Sequence, residues 1–70
     1  MIELQDNSLF KKQAMWLMEV DGQKDAPKER RDAAYKGVCE AYMRCHLEEK
    51  DYILFDVVTQ NHLRREEYRR

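Results

Sequence analysis

From Val38 to Arg70 the chain contains neither glycine nor proline, and the whole sequence holds only two glycines and one proline. An all-β domain needs a turn about every ten residues, built from residues that are scarce here. The expected fold class is therefore all-α. Seventy residues leave room for a single domain, 1–70. With 43% hydrophobic and 39% charged residues, the chain has the apolar surface to fold and too mixed a charge to read as disordered. A formal charge of -1 argues against a uniformly basic nucleic-acid glove.

No segment carries the roughly 18 apolar residues of a membrane span. Met1-Ile2-Glu3-Leu4-Gln5-Asp6 lacks the basic and apolar blocks of a secretory signal, so the expected compartment is the cytoplasm. Secreted chains this short usually carry several disulfides, whereas Cys39 and Cys45 are the only cysteines. On one helix they stand about 9 Å apart along the axis, too far to bridge. A chain of this size without bridges needs very good helix packing or a second copy of itself, and a helical homodimer is expected.

Asp6, Asn7 and Ser8 can each accept a hydrogen bond from free amides at a helix start. A helix is predicted over 7–21, with Phe10, Ala14 and Leu17 in one apolar row and Leu9, Trp16 and Val20 widening it. Gly22 suits a left-handed C-terminal position, Asp25 a cap and Pro27 a first helical turn. The second helix is predicted over 27–49, with Ala34, Val38, Ala41 and Cys45 in one row and Tyr35 and Tyr42 beside it. Asp51 can cap a third helix over 52–68, or the last two helices run on as one. The result is a helical hairpin or a three-helix arrangement. Tyr52 to Val58 is rich in strand formers but has no second strand to pair with. As a helix, Ile53, Leu54, Phe55, Val57 and Val58 cover more than half the circumference, more than one neighbour buries. The expected dimer interface is Val38, Ala41, Cys45, Ile53, Leu54, Val57 and Val58.

Chemistry-bearing patterns are sparse. Cys39, Cys45, His46 and His62 lack the convergent spacing of a structural zinc site and are expected to be small apolar cysteines and surface histidines. Ser8, the only serine, has no histidine nearby in sequence to activate it. Glu48-Glu49 and Glu66-Glu67 sit among basic residues in polar stretches, unlike the shielded carboxylates of acid–base catalysis. With no phosphate-cradling glycine loop either, no enzyme, catalytic residue, metal or cofactor is expected.

Met15, Trp16 and Met18 form a soft apolar group suited to a protein partner. The expected function is that of a small non-enzymatic adaptor or regulator that binds another protein through apolar helix faces as a homodimer. Short, charge-dense helical chains are common among regulatory accessory proteins of bacteria, phages and mobile elements, and composition alone suggests that class here. The alternative is a nucleic-acid-binding regulator whose Lys28, Arg30 and Arg31 crowd the start of the second helix. Glu29 and Asp32 interrupt that cluster, while Arg64, Arg65, Arg69 and Arg70 form a second basic group diluted by Glu66 and Glu67.

Overall fold

A computed structural model describes residues 4–69. Three helices follow one another: α1 (Asn7–Asp21), α2 (Lys28–Arg44) and α3 (Glu49–Tyr68). The three-helix expectation holds, and the alternative of one helix from 27 to 68 is corrected by a break at 45–48. No helix among the described residues is long and apolar enough to cross a membrane.

Each helix start has a local cause. Asp6 is the N-cap of α1, where its carboxylate accepts from the Ser8 amide at 3.0 Å and from the Ser8 hydroxyl. These two bonds hold the Asp6 carboxyl below its ordinary pKa. α2 starts without a side-chain cap: Pro27 is its extended N-cap residue and Asp25 plays no capping part. At α3, Asp51 reaches back from the third helical position, and its Oδ2 accepts from the Glu48 amide at 2.9 Å. Asp51 is thus inside α3 rather than the cap before it, and α3 begins at Glu49 instead of Tyr52.

Gly22 takes a right-handed conformation, φ -76° and ψ -13°, rather than the left-handed one expected of it. Arg65 Nη1 donates to the Asp21 carbonyl at 3.0 Å, and Arg69 Nη2 donates to the Gln23 carbonyl at 3.2 Å. Arginines from another helix thereby satisfy the carbonyl end of α1, which has no basic residue in its own last turn. Part of the basic group in α3 is consumed in this clamp.

The break after α2 has a distant origin. Cys45 is extended, at φ -112° and ψ 151°, and pairs with Gln5 in an isolated parallel bridge. The Gln5 amide donates to the Arg44 carbonyl at 2.9 Å, and the His46 amide donates to the Gln5 carbonyl at 2.8 Å. Backbone pairing with the segment ahead of α1 satisfies groups that a continuing helix would otherwise use.

The core contains Phe10, Ala14, Leu17 and Val20 of α1, Ala34, Val38 and Ala41 of α2, Cys45 after it, and Val58 of α3. Both periodic rows predicted for the first two helices face inward. α2 and α3 meet through rings more than through backbone proximity. Tyr42 stacks on Phe55 with centroids 4.2 Å apart, Tyr35 stacks on His62 at 4.6 Å, and Tyr52 meets Tyr42 edge-on at 6.0 Å.

This packing corrects the expected interface. Val38, Ala41, Cys45 and Val58 are buried within the single chain and offer nothing to a second copy. Leu54 and Phe55 are half-buried against the core, while Ile53 and Val57 face outward at 59% and 53% exposure. The apolar circumference of α3 is therefore partly absorbed by α1 and α2, leaving a narrower surplus than its sequence implies.

Candidate functional site

Two features stand out: a buried polar network joining all three helices and an outward apolar face along α1 and α3.

Asp21 ends α1 and His62 lies in the C-terminal half of α3, at 1% and 3% exposure. The two carboxylate oxygens of Asp21 lie 3.0 and 3.1 Å from His62 Nδ1. An ionised carboxylate only accepts, so this geometry places the Nδ1 hydrogen between them. Tyr35 of α2 covers the imidazole face, 18° from coplanar. Burial pushes the Tyr35 phenol up from its ordinary pKa, and the neighbouring Cys39 adds to the effect.

One turn beyond His62, Glu66 Oε2 accepts from Arg31 Nη1 at 3.2 Å, and its Oε1 lies 3.1 Å from the same nitrogen. Arg31 is itself buried. Glu66 Oε1 and Arg31 Nε are buried and have no hydrogen-bond partner among the described residues. Beside it runs a groove of about 480 Å³, lined by residues that include Lys28, Arg31, Tyr35, His62, Glu66 and Arg69. The expectation of a surface His62 is corrected: its ring is in the interior because α3 turns it toward Asp21. Cys39 is half-buried, Cys45 buried, both are free thiols, and His46 is exposed.

The same network corrects the basic cluster. Lys28 and Arg30 are exposed, but Arg31 is committed to Glu66 and is not presented to a phosphate. A helical period places Arg31 on the inward side with Ala34 and Val38, separate from its basic neighbours.

Met15, Trp16 and Met18 are exposed at 67%, 40% and 45%. They do not form one patch. Leu9, Gln13, Trp16 and Val20 share the flank toward α2, where Gln13 lies against Gly37. Asn7, Lys11, Met15 and Met18 share the flank toward α3, where the Asn7 side-chain amide donates to Asp51 at 2.9 Å. α1 and α3 run in the same direction, since Asn7 meets Asp51 at one end and Asp21 meets His62 at the other. Met15 and Met18 therefore border the side of the bundle on which Leu54, Ile53 and Val57 stand. Sequence periodicity located these residues but not the division of Trp16 from the methionines, which depends on where the neighbouring helices dock.

These features define a small three-helix all-α protein with an interior Asp–His pair and an outward-facing apolar flank. No protein-family profile, curated protein or solved structure matches the chain.

Proposed function

We propose that this protein is a non-enzymatic adaptor or regulator that works by binding protein, pairing first with a second copy of itself along the α1/α3 flank. The observation that carries this reading is the exposure of Met15, Met18, Ile53 and Val57 on the outside of a bundle whose core already contains Phe10, Leu17, Val38 and Val58. Methionine and β-branched side chains on a helix face adapt to and pack against another helix, and water is a poor neighbour for them. Trp16, on the other flank of α1, is left to a different protein partner.

Light scattering after gel filtration tests the pairing. The wild type is expected at twice its 8.5 kDa chain mass at tens of micromolar, and Ile53→Glu with Val57→Glu at the chain mass with helical content unchanged. A wild type that stays monomeric throughout that range overturns the pairing. Once Arg31 is paired, and Arg65 and Arg69 are engaged at the end of α1, the nucleic-acid reading rests on Lys28, Arg30 and Arg64; replacing Lys28 and Arg30 with alanine is expected to leave function intact.

A further inference from the structure

We infer that Asp21, His62 and Glu66 form a binding site for a divalent transition-metal ion of the zinc class. This goes beyond the adaptor reading and does not depend on it. One donor atom from each side chain lies within 4.8 Å of the others, and two of the three residues are buried. Nitrogen and carboxylate oxygen donors from one histidine and two acids suit a borderline cation such as zinc or cobalt.

The donors are close to a coordinating arrangement before any ion enters. His62 Nδ1 and the Asp21 oxygens are 3.0 and 3.1 Å apart. Bonds of about 2.1 Å place tetrahedral donors about 3.4 Å from one another, so Asp21 and His62 are almost in position, and a Glu66 oxygen lies within 4.8 Å of both. Glu66 Oε1 is buried and accepts no hydrogen bond among the described residues, but it is ion-paired, with Arg31 Nη1 at 3.1 Å and Arg69 Nη1 at 3.8 Å, while Oε2 accepts from Arg31, so an ion entering here displaces those cations from Oε1. Arg31 can keep Oε2 while Oε1 turns to the ion, the way outer groups commonly hold a ligating carboxylate. Tyr35, stacked on the ring at 4.6 Å, fixes the imidazole plane. His62 and Glu66 also line the groove, which supplies a path for the ion and an open position for water. On binding, the Nδ1 hydrogen leaves, to Nε2 if the ring is neutral or to solvent if it is charged.

The competing account is that the cluster is only an internal ion-pair and hydrogen-bond network. Zinc chloride and, separately, cobalt chloride titrated into the full chain distinguish the two. The inference expects one equivalent bound per chain and a visible cobalt spectrum of low coordination number. It also expects the unfolding temperature to rise by about 10 °C or more when free zinc is 100 times the dissociation constant. Glu66→Gln, whose side-chain oxygen can still accept from Arg31, should weaken zinc binding about 100-fold, and His62→Gln should abolish it, each compared at a temperature where circular dichroism shows the variant helical. His46→Gln should bind as the wild type does. No thermal shift with the wild type, unchanged affinity in Glu66→Gln, or loss in His46→Gln would each overturn the site.

Discussion

His62 Nδ1, in the C-terminal half of α3, stands 3.0 Å from Asp21 Oδ1 at the last residue of α1, and both side chains are almost completely removed from solvent. A carboxylate at the carbonyl end of a helix sits against the negative pole of the helix dipole. The imidazole donor, together with Arg65 on the adjacent main-chain carbonyl, compensates that placement. His62→Ala is therefore expected to leave a buried carboxylate without its partner, at a cost of about 3–5 kcal/mol. That approaches the whole stability of a domain this small, about 4–10 kcal/mol. Asp21→Asn keeps a side-chain acceptor for Nδ1–H and should cost only about 1 kcal/mol. Urea unfolding of the two variants checks the contrast; equal losses would show that the pairing is not what matters.

Asp51 supplies the clearest pH dependence. The Glu48 amide, above all, and the Asn7 side chain hold its carboxyl below the ordinary value, with Lys11 assisting and burial opposing. A depressed folded-state pKa means that the ionised form is favoured by folding. The stabilisation is complete above the unfolded-state pKa, about 3.9, and is lost as pH falls through the lower folded value. Asp51→Asn should therefore lower the unfolding temperature at neutral pH and reduce the further drop toward about pH 2. Thermal melts of both proteins across that range are the measurement. Parallel acid limbs would mean that Asp51 is not the group responsible.

The parts of this fold that were legible in the sequence are those with local causes. Phe10, Ala14 and Leu17 recur at helical spacing and are all buried, and the Gly22–Pro27 stretch contains the turn its composition implies. The break at Cys45 was not legible, because Gln5 supplies the pairing from the far end of the chain. The same holds for His62. Nothing near it in sequence reveals Asp21, and only the four-residue spacing from His62 to Glu66 hinted at a shared helix face. Ile53 and Val57 were indistinguishable by composition from Val58, and it was the docking of α1 and α2 that sent Val58 inside.

The α2–α3 contact should respond to its rings as a unit. Tyr42 lies 4.2 Å from Phe55 in a stacked arrangement, and Phe55 also meets Phe10 at 6.3 Å. Aromatic pairs of this kind contribute about 0.5–1.5 kcal/mol beyond the area they bury. In a double-mutant cycle, Tyr42→Leu and Phe55→Leu are each expected to destabilise, and the double variant by less than their sum, with a coupling in that range. Strict additivity would assign the contact to area alone.

Gly37 is a helix-interior glycine whose replacement has a definite sign. A Cβ built there would lie 2.6 Å from Gln13 Oε1, an atom that is buried and has no hydrogen-bond partner. The obstruction is the end of a flexible side chain, and Gln13 is only half-buried, so its amide can swing to water and recover the hydrogen bonds it lacks. Removing glycine from a helix interior gains about 0.8–1.0 kcal/mol. Gly37→Ala should therefore stabilise the protein, raising its unfolding temperature by about 4–8 °C. Pairing it with Gln13→Ala separates the two contributions: if Gly37→Ala gains less in the wild type than in the Gln13→Ala background, displacement of Gln13 opposes the helical gain. A fall in unfolding temperature for both would show that α1 and α2 are packed too tightly at this level to accept even a methyl group.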